Sequence, residues 1–366
     1  MIQGASAATV RAAIEGRDPL PGTRGFAGRL PDGRLVRDVL GRYPLFVEGA
    51  TRGRDARGSD DEEGWAFSPT ELADPAPFPA GHIGDGSDVR RIWSLPDPPV
   101  FEDASEATAA LADALRASLA VGDDGLAVAF SGGVDSAVVA SAVDAPLYAV
   151  GFPDSHDLAA AREGARAMDR ELRTVECTHA DLERAVPVVA RATGRTDPMD
   201  VSIALALYLV AERAAADDHD RLAVGQGADE LFGGYEKVAR ADERVEADTV
   251  RGATREVIGS LPDGLERDVL AIRAAGIEPV APLLDDRVVG VALGLDGPML
   301  ASEGERKRTF RRAAREFVPR SVADREKKAV QYGSLIGREL DRLARRAGYK
   351  RRMDDHARRY IESLLE

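Results

Sequence analysis

The stretch that most narrows the fold is Ser131-Gly132-Gly133-Val134-Asp135-Ser136, because of what flanks it. Gly125-Leu126-Ala127-Val128-Ala129-Phe130 precedes it and Ala137-Val138-Val139-Ala140-Ser141-Ala142-Val143 follows it. The first flank is a short apolar run of the kind a buried parallel strand needs; the second is Ala-rich material for a helix packed on that strand. Two glycines in a strand-to-helix turn let the backbone come close to a ligand. A helix N-terminus adds unpaired N–H groups at the positive end of its dipole. The pattern predicts a phosphate or pyrophosphate guest, held by backbone at Gly132 and Gly133 and by the hydroxyls of Ser131 and Ser136. An acid inside an anion site needs a cation beside it, so Asp135 predicts Mg2+.

This SGGxDS string resembles the PP-loop of ATP pyrophosphatases, which bind the β- and γ-phosphates of ATP and release them together. The G-K-S/T ending of a Walker A loop is absent, which argues against simple γ-phosphate hydrolysis.

With 366 residues the chain can form a large core and two domains. No run approaches a transmembrane segment and the N-terminus lacks the layout of a signal peptide, so a cytoplasmic protein is expected. The single cysteine, Cys177, excludes an intrachain disulfide framework and an all-cysteine metal cage. It follows a predicted strand and reads as a small buried apolar residue. Net charge is −14, with 63 acidic against 49 basic residues, which argues against a general nucleic-acid binder. Only five of the basic residues are lysines: Lys237, Lys307, Lys327, Lys328 and Lys350. The stretch 338–359 is locally basic and predicts a solvated or oligomer-forming helix.

Residues 1–100 are rich in Gly, Pro and Asp with short apolar pieces, which predicts small strands and loops, residues 53–64 forming a charged loop. From 101 onward the texture changes. Ala107, Leu111, Leu115 and Leu119 recur at helical spacing. Strands are predicted at 126–130, 146–152, 172–177 and 221–224, with helices between them, including 157–168, 181–193 and 201–216. Strand–helix alternation implies an α/β fold whose parallel sheet is covered on both faces, with ligands at the carboxyl ends of the strands.

After the last of those strands comes Gly225-Gln226-Gly227-Ala228-Asp229-Glu230-Leu231-Phe232-Gly233-Gly234-Tyr235. Four glycines and adjacent acids at a strand end predict a second ligand-facing turn, and Asp229 completes a Mg2+ site with Asp135. The two motifs together resemble the synthetase domain of class B asparagine synthetases and the related β-lactam synthetases, which carry SGGxDS and then an S-G-x-G-S/A-D-E-x-F-G-G-Y turn. Further matches are Gly276-Ile277-Glu278-Pro279-Val280-Ala281-Pro282-Leu283-Leu284-Asp285, similar to "E-x-R-x-P-F-L-D", and Lys307-Arg308-Thr309-Phe310-Arg311, Val318-Pro319 and Arg325-Glu326-Lys327, in register with "K-x-x-L-R … L-P … R-x-K". The resemblance implies a PP-loop domain like those of adenine nucleotide α-hydrolases over 101–366. It implies ATP and Mg2+ as cofactors: a carboxylate substrate attacks the α-phosphorus of ATP, and ammonia or an amine then displaces AMP to form an amide. It further implies that Ser131, Gly132, Gly133 and Ser136 hold pyrophosphate and that Asp135 and Asp229 hold Mg2+. Val150 and Gly227 would border adenine or ribose, and Lys327 and Lys307 would neutralise phosphate charge.

Residues 1–100 carry a second resemblance. Gly25-Phe26-Ala27-Gly28-Arg29-Leu30-Pro31-Asp32-Gly33-Arg34-Leu35-Val36-Arg37-Asp38-Val39-Leu40-Gly41-Arg42-Tyr43-Pro44-Leu45-Phe46 is similar to the last strands of a class II glutamine amidotransferase domain. Such domains use an N-terminal cysteine, whereas this chain begins Met1-Ile2-Gln3-Gly4 and is short before Gly25. A truncated, catalytically inactive domain is expected, with nitrogen supplied as ammonia, as an amine, or by a separate glutaminase subunit.

Three departures bear on substrate. Gln226 stands where asparagine synthetases have glutamate and β-lactam synthetases tyrosine, and a neutral amide cannot serve as general base. Val280 replaces an arginine, and the polar helix start "T-x-R-x-S-T-P" falls on the apolar Val201-Ser202-Ile203-Ala204-Leu205-Ala206. An asparagine-synthetase-like amidoligase that does not prefer aspartate is expected. Two alternatives stay open: an adenylating enzyme acting on RNA or another macromolecule through the basic C-terminal stretch, and a non-catalytic nucleotide-binding relative.

Overall fold

The structure is a computed structural model that describes residues 1–49, 64–85, 88–153, 155–302, 304–325, 334–350, 352 and 354–366. Lys327 and nearly all of the charged 53–64 loop lie outside the described residues. The N-terminal part holds β1 (Ile2–Gln3), α1 (Ala7–Gly16), β2 (Ala27–Arg29), β3 (Leu35–Arg37), β4 (Phe46–Glu48), β5 (Trp65–Ala66), β6 (Pro75–Pro77), β7 (His82–Gly84) and β8 (Arg90–Arg91). They form two small antiparallel sheets, in the orders β1-β2-β3-β7-β8 and β5-β4-β6. Val10, Phe26, Val36, Ile83 and Trp93 make a core under the larger sheet, with Phe26 and Trp93 meeting edge to face at 5.6 Å.

The second part opens with α2 (Ala104–Ser118), whose start is capped by Asp103 accepting from the N–H groups of Ser105 and Glu106 at 2.8 Å. There follow β9 (Leu126–Ala129), α3 (Val134–Ser141), β10 (Leu147–Gly151), α4 (His156–Ala167), β11 (Leu172–Glu176), α5 (His179–Thr193), α6 (Pro198–Ala216) and β12 (Arg221–Ala223). The expected alternation is therefore present, with boundaries shifted by one to three residues. Beyond it lie α7 (Ala228–Leu231), α8 (Glu236–Arg240), α9 (Val250–Gly259), α10 (Leu261–Arg273), β13 (Glu278–Val280), α11 (Asp286–Leu293) and α12 (Gly297–Leu300). The chain ends with a two-residue ribbon, β14 (Ala301–Ser302) and β15 (Glu305–Arg306), then α13 (Arg308–Ala314), α14 (Arg320–Ala323), α15 (Ser334–Arg346) and α16 (His356–Ser363).

The main sheet runs β11-β10-β9-β12-β13, and every neighbouring pair is parallel. β9 is followed in sequence by β10 on one side, and the chain later returns to lay β12 on the other. The order reverses at β9, and in an open α/β sheet a crevice at the carboxyl ends forms at that point. Both glycine-rich motifs lie there, one after β9 and one after β12. The fold is α/β, as expected: a five-stranded parallel sheet with helices packed on it, preceded by a small β-rich N-terminal part.

α6 explains the apolar run at 201–206. The helix is buried along most of its length, with Leu207, Val210, Ala211 and Ala214 against the sheet residues Ala127, Ala129, Tyr148 and Leu222. Its Val201, Ala204 and Leu205 pack instead with Leu182 and Val186 of α5 and with Ile336, Leu340 and Leu343 of α15. A helix covered on two sides has to be apolar around its circumference. The basic C-terminal stretch is thus partly core, and several of its charges are paired within the chain: Arg345 with Asp341 at 3.1 Å, Arg342 with Glu339 at 3.5 Å, and Arg358 with Asp197 at 3.3 Å.

The two parts are joined by buried charge. Arg37, 2% exposed, donates to the carbonyls of Tyr43, Phe78 and Gly41 and reaches Glu266 of α10 at 3.4 Å. Arg42 lies 2.9 Å from Asp38 and 2.8 Å from Asp286, and donates to the Leu284 carbonyl at 2.7 Å. Thr23 donates to Asp286 through its N–H at 2.7 Å and its hydroxyl at 3.0 Å.

Candidate active site

The Ser131 loop leaves β9 through buried Phe130 and enters α3 with Gly133 at the cap position, where no side chain satisfies the first-turn N–H groups. Those donors are what an oxyanion binds. The two hydroxyls tie the loop to itself. Ser136 Oγ accepts from the Ser131 N–H and donates to the Gly133 carbonyl at 3.2 Å, and the two Oγ atoms are 3.1 Å apart. Gly132 has φ +76°, and a Cβ there would lie 2.2 Å from the Ala160 carbonyl oxygen of α4. No other residue fits without moving backbone.

Lys307 organises the site. It is 3% exposed and sits just before α13 in the left-handed region, φ 58° and ψ 39°. Its Nζ is 2.7 Å from both carboxylate oxygens of Asp135 and 2.8 Å from Asp229 Oδ1. Holding a non-glycine residue there costs about 1–3 kcal/mol, and such strain persists only where surrounding contacts enforce it. Burial pulls the ammonium down, but Asp135 and then Asp229 outweigh it and hold Lys307 above the ordinary lysine value. Gly234 closes over the pair: a Cβ on it would lie 2.1 Å from Asp229 Oδ1 and 2.5 Å from Lys307 Cε.

Both carboxylates therefore converge on the Lys307 ammonium, which occupies the point between them. Hard oxygen donors from two aspartates suit Mg2+, which binds through one or two carboxylates and takes its remaining ligands from phosphate and water. Among the described residues no cluster of three or more His, Cys, Asp or Glu is placed to hold a metal ion.

Val150 lies at the end of β10 and Gly227 precedes α7, so the predicted nucleotide-facing residues occupy the carboxyl ends of three adjacent strands, β10, β9 and β12. The sequence reading gave no role to Arg325, whose Nη1 donates to the Gly132 carbonyl at 3.4 Å and the Ala160 carbonyl at 3.2 Å. Arg311 in turn donates to the carbonyls of Ala323 and Arg325 at 3.0 and 2.7 Å. The "R-x-K" match was the available signal.

Of the three departures, Gln226 and Val280 line one cavity, whereas residues 201–206 do not. That third departure is explained by core packing. Gln226 has a partner the sequence could not reveal: its Nε2 donates to Asp268 Oδ2 at 2.5 Å, and Asp268 Oδ1 accepts from Arg267 at 2.7 Å. Burial raises the Asp268 carboxyl above the ordinary aspartate value, Arg267 and then Gln226 opposing it. A folded-state pKa above the unfolded value near 3.8 makes this carboxylate weigh against folding as pH rises beyond that value. Asp268→Asn should therefore gain stability relative to the parent as pH goes from about 4 to about 7. Urea midpoints of both chains at the two pH values test this, and a gap that stays constant or shrinks would count against the shift.

Comparison with known proteins gives the family of the chain. The asparagine synthase family description matches residues 106–268 and 248–365. The chain is 30% identical over 268 residues to the glutamine-hydrolyzing "Putative asparagine synthetase 1" of Methanocaldococcus jannaschii, covering 63% of this chain and 50% of that protein. It is 26% identical over 338 residues to the glutamine-hydrolyzing asparagine synthetase B of Escherichia coli, covering 82% and 58%. The chain thus spans between half and three fifths of the length of these relatives. Among solved structures, an NH3-dependent NAD synthetase from Campylobacter jejuni overlaps 72% of this chain and 94% of its own at 12% identity and a TM-score of 0.30, too low to add to the topology. The family match begins in the helix that opens the second part and runs to the penultimate residue, taking in both glycine-rich turns and Lys307: the chain belongs to the asparagine synthase family.

Proposed function

We propose that the chain is an ATP-dependent amidoligase that adenylates a carboxylate and transfers the acyl group to ammonia or an amine. The observation that carries this reading is the Asp135–Lys307–Asp229 cluster beside the uncapped start of α3, at the reversal point of the sheet. Phosphoryl chemistry asks a protein mainly for positioning and electrostatics, and this cluster supplies fixed charge of both signs. Mg2+ held by Asp135 and Asp229 would supply charge neutralisation on the phosphates. The α3 N–H groups and Ser131–Ser136 would hold the pyrophosphate portion, Val150 and Gly227 the nucleoside, and Lys307 and Lys327 the developing phosphate charge.

In the first step a carboxylate oxygen bonds to the α-phosphorus as the α–β bridging P–O bond breaks and pyrophosphate leaves. In the second the amine nitrogen bonds to the acyl carbon, the bond to AMP breaks with AMP taking the electron pair, and the nitrogen gives up a proton to solvent water. Products should be AMP and pyrophosphate, which a screen of carboxylates by mass spectrometry will detect; ADP with orthophosphate would sink the reading.

The N-terminal part is, on this proposal, an amidotransferase-like sheet without glutaminase activity. The one thiol of the chain, Cys177, is 2% exposed at the end of β11, and burial pushes it up to about 12, far from the thiolate a glutaminase nucleophile requires. The purified chain is expected to release no glutamate from glutamine. Steady release would overturn this part.

A further inference from the structure

The cavity between the two parts of the chain has a volume of about 800 Å3. Ammonia needs almost none of it; a space of this size suits a ligand the size of a short peptide. Arg24, Arg42, Arg221 and Arg287 line it with Asp285. Arg42 is paired with Asp38 and Asp286, and Asp285 lies 3.8 Å from both Arg24 and Arg287, so among the described residues Arg221 is the wall arginine without a carboxylate partner. Two donors among them, Arg24 Nε and Arg42 Nη2, are buried without a hydrogen-bond acceptor among the described residues. Unsatisfied guanidinium donors and an arginine without a carboxylate partner favour a carboxylate, which matches the guanidinium fork.

The cavity also has direction. Arg24 donates to the Ser118 carbonyl at 2.8 Å and Arg221 to the Val121 carbonyl at 2.9 Å, so both sit at the end of α2. Arg221 opens β12 and Gln226 lies in the turn beyond that strand, five residues on, or about 16 Å along an extended chain. At the Gln226 end the neighbouring Gly225 packs on the backbone of Asp135 and Ser136. A ligand held by its carboxylate at Arg24 and Arg221, beside the end of α2, has its other end directed along β12 toward the turn at Gln226.

We propose that this interdomain cavity is the acceptor site, and that the acceptor is a short peptide of about four or five residues, its terminal carboxylate on Arg24 and Arg221 and its free amine at Gln226. The inference rests on the amide-forming reading above and names the nitrogen donor for it. The terminal amine nitrogen bonds to the acyl carbon as the acyl–AMP bond breaks, AMP leaves with the bonding electron pair, and the proton of the nitrogen passes to solvent water.

The test uses the full chain and penta-alanine, followed by titration calorimetry. Saturable binding is expected, with the C-terminal amide form at least about tenfold weaker, as loss of a charge-assisted hydrogen bond implies. Arg24→Ala should weaken penta-alanine by a similar factor while leaving the amide form unaffected, and Arg24→Lys should fall between. The amide form alters only the ligand, so this comparison survives a variant that folds poorly. Absence of saturable binding, or binding indifferent to both the carboxylate and Arg24, overturns the proposal. Binding without AMP formation from any carboxylate leaves the peptide site standing and removes the amide-forming reading. AMP formation with ammonia that ignores penta-alanine and Arg24→Ala does the reverse.

Discussion

Lys307→Met is expected to destabilise the chain by about 3–5 kcal/mol, the cost of stranding buried charge without its partner, and to lower pyrophosphate release by about 10²–10³, the cost of losing one preorganised charge. Asp135 and Asp229, 21% and 19% exposed, both point at the ammonium, whose side chain is only 4% exposed, so the methionine leaves two carboxylates facing each other without a cation between them. Two further results follow from that geometry. Asp229→Asn added to Lys307→Met should restore part of the stability and none of the activity, because it removes repulsion and not the missing cation. Mg2+ should raise the melting temperature of Lys307→Met more than that of the parent, since binding to the folded state alone stabilises it and the carboxylates no longer share an ammonium. A Lys307→Met chain within about 1 kcal/mol of the parent, as an exposed pair would give, would show that the cluster is not a working unit.

Aspartate with ammonia is expected to yield little AMP, lower by a factor of about 10⁴ than the chain's own substrate pair, because a site that leaves buried charge unpaired rejects its ligand strongly. Aspartate carries two carboxylates and an ammonium. Of the groups beside the second glycine-rich turn, Gln226 is neutral and committed to Asp268, and Val280 has no charge to give. Gln226→Glu should not rescue asparagine formation. It would set a second carboxylate against Asp268, which is already raised by burial, and like charges in contact resist joint ionisation. Time courses of AMP and asparagine, for the parent and for Gln226→Glu, decide the matter. Asparagine formation by the parent with a KM between roughly 1 μM and 1 mM, the usual enzyme range, would refute the expectation.

The sequence alone determined the parallel sheet and the place of the glycine-rich loop after β9. The runs that became β9, β10, β11 and β12 are short, apolar or β-branched and separated by helical periodicity, and that information is local. The string from Ser131 to Ser136 was likewise legible, since its glycines, hydroxyls and acid act within one turn and the next helix. Asp229 and Lys307 could be named from motif register, but not their convergence on a single point, because 172 residues separate Lys307 from Asp135 and only packing brings them together. The same limit hid Asp268 behind Gln226, 42 positions away. It also linked the apolar residues at 201–206 to substrate choice, whereas they pack in the core: periodicity states that a helix is buried and is silent on what buries it. The cavity between the two parts belongs to tertiary structure altogether, since its walls come from residues 4–43 and 117–287 and the charge of each wall residue has meaning only once the others face it.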